Sequence, residues 1–89
     1  MILAYFTVSY DLLRNKDYQR IIDELKRLEA TKVLLSMWFV ELDNTAQQVK
    51  DHLAGFLDDD DRLVVVEFSK KPAYTRALEG TNAWVNARF

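Results

Sequence analysis

The chain has 89 residues, 49% of them hydrophobic, no cysteine, and a net charge of −2 at pH 7. That length makes one domain rather than two. The missing cysteine removes disulfides, zinc–thiolate centres and cysteine nucleophiles together, and the acidic balance is unlike the basic total usual in a dedicated nucleic-acid binder. Stability must come from the core or from association. With two glycines and one proline, no stretch reads as a flexible linker. The first ten residues are apolar, but they lack a charged front and soon meet Asp11 and Arg14. They fit neither a signal peptide nor a membrane span. The expectation is a soluble domain without membrane contact, and the lack of cysteine suits the reducing cytoplasm.

Residues 2–10 begin the pattern. Ala4, Phe6 and Val8 alternate with Tyr5, Thr7 and Ser9, the period of a strand. Residues 11–16 turn polar and read as a loop. Over 17–30 the period changes: Tyr18, Ile21, Ile22, Leu25 and Leu28 share one helical stripe, and Arg20, Asp23, Glu24, Lys26 and Arg27 fall on the wet side. Asn15 or Asp17 can cap this helix, and Arg20 with Glu24 forms an i,i+4 pair. The apolar run that follows divides into a short strand over 32–34 and a longer one over 37–43. Only Ser36 favours a turn between them, so one bent strand is the competing reading. Thr45 and Gln48 match a capping box ahead of a second helix with Val49, Leu53, Phe56 and Leu57 on its buried stripe. An acidic turn at Asp58–Asp61 precedes a nearly continuous apolar strand over 62–69. Pro72 breaks the chain, and Thr81 can cap a final helix carrying Ala83, Trp84, Val85 and Phe89.

The order β-α-β-β-α-β plus a tail predicts an α+β fold, a ferredoxin-like sandwich over residues 2–69 with a C-terminal helical tail over 70–89. Both helices then cover one sheet face. Yet Leu3, Tyr5, Met37, Phe39, Leu63 and Val65 alternate with Ala4, Phe6, Trp38, Val40, Val64 and Val66, so both sheet faces carry large apolar groups. An uncovered face of this kind forgoes about 1.5–3 kcal/mol per large side chain. Tyr74 and Trp84 of the tail can cover part of it, and the remainder predicts a homodimer.

No Gly-rich phosphate loop, HExxH or GxSxG motif is present. The lone histidine, His52, reads as a surface or boundary residue of the second helix. Asp11 places a carboxylate just past the first strand. A hard cation takes such oxygens and can activate water against a phosphodiester; the alternative is a turn-forming aspartate. Two copies of Asp11 at a dimer axis make a better cation site than one. Asp58–Asp61 lacks the alternating spacing of a calcium loop and reads as a solvated acidic turn. Arg14, Lys16 and Arg20, with Lys26 and Arg27, form the densest basic region, able to hold a phosphate backbone or to make an ordinary charged helix face.

The segment Tyr5-Phe6-Thr7-Val8-Ser9-Tyr10-Asp11-Leu12 resembles the first strand of the small CRISPR-associated endoribonuclease that serves in spacer acquisition. Lys32-Val33-Leu34-Leu35-Ser36-Met37-Trp38-Phe39-Val40 resembles its second and third strands, and Glu41-Leu42-Asp43-Asn44-Thr45 its step into the second helix. Val65-Val66-Glu67 and Asn82-Ala83-Trp84 are similar to a sister group, the SinR-like proteins, found outside CRISPR loci. The resemblance implies a homodimer with facing sheets, Asp11 from each subunit around a magnesium ion, and RNA or DNA as substrate or partner, with Lys32 as the basic residue of the second strand. It equally implies a non-catalytic scaffold in a mobile-element or defence system, working with a second protein of that system. A small-molecule site on the same fold is a third reading, and a polar pocket between sheet and helices would favour it.

Overall fold

The alternating run at the start forms β1 (Ala4–Asp11). The structure is a computed structural model, and it describes residues 2–11 and 18–89. Ile2 and Leu3 stand outside the strand because its partners run out: Ala4 lies opposite Leu42 and Tyr5 opposite Phe68, the last residues of the two neighbouring strands. Those are β3 (Met37–Leu42) and β4 (Arg62–Phe68). The apolar run does divide, into β2 (Thr31–Leu34) and β3, with Leu35 and Ser36 as the turn. A bulge at Val33, between Lys32 and Leu34, accompanies the tight turn. The four strands form one sheet in the order β2-β3-β1-β4, and every neighbouring pair is antiparallel.

Helices α1 (Gln19–Arg27) and α2 (Ala46–Ala54) lie on one face. Ile21, Leu25, Val49 and Leu53 pack onto Phe6, Val8, Tyr10, Trp38 and Val40, all buried. The predicted capping box of α2 is present: Thr45 Oγ1 accepts from the Gln48 N–H at 3.1 Å, and Gln48 Oε1 accepts from the Thr45 N–H at 2.9 Å. The proposed caps of α1, Asn15 and Asp17, lie outside the described residues. At its other end α1 stops short of the expected residue 30. Glu29 takes a left-handed φ of 61°, and the Ala30 N–H reaches back to the Leu25 carbonyl at 2.9 Å. This closes the helix in a Schellman-type end without the usual glycine.

The second face is covered in part by α3 (Thr81–Arg88). Trp84 and Val85 pack against Val33 and Phe39, with Tyr5, Met37 and Phe68 around them. Leu78 N–H donates to the Val33 carbonyl at 2.9 Å, which ties the approach to α3 to the bulge. The cap of α3 differs from expectation. Gly80 holds the N-cap position at φ 97°, a conformation L side chains rarely adopt. Thr81 is instead the first helical residue, buried, and its hydroxyl donates to the Leu78 carbonyl at 2.7 Å. Its side chain fixes the turn before the helix, which leaves glycine to make the sharp entry. Beyond Trp84, the other half of this face stays open: Val64 and Val66 are 58% and 51% exposed. Among the described residues, no helix is long and apolar enough to cross a membrane.

Candidate functional site

The end of β1, the β2–β3 hairpin and the start of β4 meet at one end of the sheet. Ser9 lies opposite Met37 and Val64, and Asp11 opposite Arg62. The Tyr10 N–H extends the ladder to the Ser36 carbonyl at 3.1 Å. Period-two geometry sends Ser9, Asp11, Arg62 and Val64 to the face that α3 covers elsewhere, and sends Tyr10 and Lys32 to the helix face. Two grooves result. One, of about 130 Å³, is lined by Ser9, Tyr10, Asp11, Ser36, Arg62, Leu63 and Val64. The other, of about 450 Å³, is lined by Tyr10, Tyr18, Ile22, Lys32, Leu35 and Ser36. Tyr10 and Ser36 border both.

Tyr10 is rigid here. It is buried, and its hydroxyl accepts from Trp38 Nε1 at 3.0 Å. Burial pushes the Tyr10 pKa above the usual tyrosine value, so the phenol stays neutral. Asp11, the expected metal ligand, is exposed at the strand end. Its carboxylate makes no hydrogen bond or ion pair with another described residue. One chain brings to this groove one carboxylate and the hydroxyls of Ser9 and Ser36. These oxygens suit a hard cation, which usually keeps waters and adds substrate oxygens. The opposing Arg62 guanidinium works against it, and a second carboxylate has to come from elsewhere.

Of the expected phosphate-binding residues, Arg14 and Lys16 lie outside the described residues. Arg20 is drawn elsewhere: its Nη2 donates to the Gly55 carbonyl at 3.0 Å, at the C-terminal end of α2. That is a favourable place for a cation, beside unsatisfied carbonyls and the negative end of the helix dipole. It replaces the expected Arg20–Glu24 pair. Lys32 lies in the larger groove.

Sequence pattern placed Glu24 on the wet side of α1, and here the structure corrects it. Glu24 is buried. Its carboxylate accepts from Arg27 Nε at 2.7 Å and Nη2 at 2.6 Å, and it also meets His52 Nε2 of α2. A two-pronged arginine contact is a strong charge-assisted one, and it makes burial of the carboxylate tolerable. The i,i+3 spacing of Glu24 and Arg27 was visible in sequence; the approach of His52 across the helix pair was not. Arg27 and His52 border a cavity of about 210 Å³ with Leu28, Leu42, Asn44, Gln48 and Val49. It is small for a ligand pocket, and Glu24 and the capping box already use its Arg27, His52 and Gln48.

The Arg27 bond, aided by His52, lowers the Glu24 pKa from 4.5 to about 2. A carboxylate depressed on folding adds stability above its unfolded pKa, and that stability is lost as pH falls from 4.5 toward 2. Allowing for the solvent around Arg27 and His52, the contribution is about 1–2 kcal/mol. Glu24→Gln is therefore less stable than wild type at neutral pH by that order. Urea unfolding followed across the acid range should show the gap closing. A gap independent of pH would mean that the carboxylate charge contributes nothing.

At the turn between α2 and β4, Asp58, Asp60 and Asp61 each place a carboxylate oxygen within 4.8 Å of the others. The Asp58 N–H donates to Asp61 Oδ2 at 2.9 Å, so part of this acidity serves the turn itself. No family model matches the chain.

Proposed function

We propose that this is a ferredoxin-like, homodimeric, nucleic-acid-associated protein of the cytoplasm, related to the small CRISPR-associated endoribonucleases and the SinR-like group. The carrying observation is the half-open second sheet face. Val64 and Val66 stand exposed beside Thr7 and Ser9, and the same face ends at Asp11 and Arg62. The strand order β2-β3-β1-β4 with two helices on one face supports the ferredoxin-like reading. A second copy seated on Val64 and Val66 removes their apolar surface from water. If the twofold axis passes near the strand end, the two Asp11 carboxylates meet as the pair that a shared magnesium ion requires. When bound there, magnesium supplies water activation and neutralises phosphate charge. The chain's own part is to present Asp11 at a fixed strand end and to hold the phosphate backbone with Lys32 and Arg62.

One observation favours the second reading, a non-catalytic dimeric scaffold that joins nucleic acid to another protein of its system. Arg62 lies directly across the register from Asp11, and a positive charge facing the carboxylate from the next strand disfavours a metal ion beside it.

Sedimentation tests the shared premise. Wild type should sediment as a dimer at micromolar concentration, and Val66→Lys as a monomer with an unchanged circular dichroism spectrum. A wild-type monomer would remove both readings of the assembly. Binding of RNA and DNA oligonucleotides should weaken steeply with salt; no binding at low salt would remove the nucleic-acid part.

A further inference from the structure

The larger groove at the sheet end combines aromatic, aliphatic and cationic side chains. Tyr18, which the sequence pattern places on the buried stripe of α1, is 43% exposed, and Leu35 in the β2–β3 turn is 82% exposed. The Tyr18 ring lies 6.2 Å from that of Tyr10, tilted by 48°. Tyr10 is locked by Trp38, so it backs Tyr18 with a fixed aromatic wall. Lys32 reaches the same groove from β2, and its ammonium has no hydrogen bond or ion pair with any described residue. Ile22 and Leu35 give an aliphatic floor and rim. An exposed aromatic ring, a cation without a partner among the described residues and apolar walls within about 450 Å³ have the chemistry that receives one unpaired base with its phosphate. A base inside a duplex cannot present its face to such a ring. Tyr10 and Ser36 also line the groove that holds Asp11 and Arg62.

We propose that Tyr18 and Lys32 form a single-nucleotide subsite for single-stranded nucleic acid, with Tyr18 stacking on the base, Lys32 pairing with its phosphate, and the strand continuing over Ser36 toward Asp11. This rests on the nucleic-acid reading above and narrows it to unpaired strands entering from the α1 side. Tyr18 sits just ahead of the first residue of α1, on its margin, so its ring can be exchanged without opening the core.

Fluorescently labelled oligo(U), oligo(dT) and a DNA duplex of equal length, titrated with the full chain, test the subsite. Wild type should bind either single strand more tightly than the duplex. Tyr18→Leu keeps an apolar wall but loses the stacking face, and should weaken single-strand binding about 5- to 100-fold. Tyr18→Phe should bind as wild type. Lys32→Gln should lower the slope of log affinity against log salt by about 0.7, the share of one phosphate contact on a single strand. Single-strand binding unchanged in Tyr18→Leu, or a wild-type preference for duplex, would overturn the subsite while leaving nucleic-acid association standing. No binding to any of the three would overturn both.

Discussion

Trp84→Ala should remove about 3–5 kcal/mol of stability, the range for truncating a buried tryptophan. Trp84 is 6% exposed. Its ring lies 5.3 Å from Phe39, 5.7 Å from Tyr5 and 6.2 Å from Phe68, and the Arg88 guanidinium covers it at 4.3 Å. It is therefore the link between α3 and the second sheet face. A domain of this size has about 5–15 kcal/mol in total, so the loss approaches half of it. The expected readout is a urea midpoint far below that of wild type, with the melting temperature lowered by roughly 15–30 °C. Trp84→Phe separates packing from hydrogen bonding. The indole Nε1 is buried with no hydrogen-bond partner among the described residues, so phenylalanine gives up ring area but no hydrogen bond and should cost much less. A loss below about 1 kcal/mol in Trp84→Ala would mean that α3 does not rest on the sheet in solution. The whole second face would then be open, and the proposed dimer surface would extend across it.

The element order was legible because two periods carry it. Alternation at Ala4–Asp11 and the Ile21, Leu25 stripe of α1 are direct consequences of which side chains must meet the core. The capping box was legible because its two hydrogen bonds join residues three apart. What sequence could not give depends on contacts between distant segments. Glu24 looks like a surface residue until His52 arrives from α2. Arg20 looks like the partner of Glu24 until the Gly55 carbonyl draws it away. Thr81 looks like a cap, but the positive φ at Gly80 is a backbone property that residue pattern alone does not state. Tyr18 belongs to the α1 stripe by spacing, yet its ring stands beside Tyr10 at an open groove. The candidate site was half legible. Asp11 was marked by its place at a strand end and Lys32 only by the family resemblance, whereas Arg62 opposite Asp11 is a matter of register, which the sequence leaves open.

Asp11→Asn decides between catalysis and scaffold. The amide keeps the size and the turn-forming capacity of the side chain but removes the charge a cation needs. If Asp11 holds magnesium, wild type cleaves at least one of single-stranded RNA, single-stranded DNA and duplex DNA in magnesium but not in EDTA. The variant should then lose that activity by about a hundredfold or more, since the metal's share of transition-state stabilisation is several kcal/mol. A second readout does not depend on turnover. Magnesium binding to the folded state alone raises the melting temperature, and that rise should vanish in Asp11→Asn. If the carboxylate serves only to face Arg62, magnesium changes neither protein's melting, and Asp11→Asn and Arg62→Gln each cost about 1 kcal/mol or less, as for an exposed cross-strand pair. Equal cleavage by wild type and variant would sink the catalytic role and point to a contaminating nuclease. Absence of cleavage on all three substrates, with strand binding and dimerisation retained, would favour the scaffold, because the open sheet face and the Tyr18–Lys32 groove require no chemistry at Asp11 to do their work.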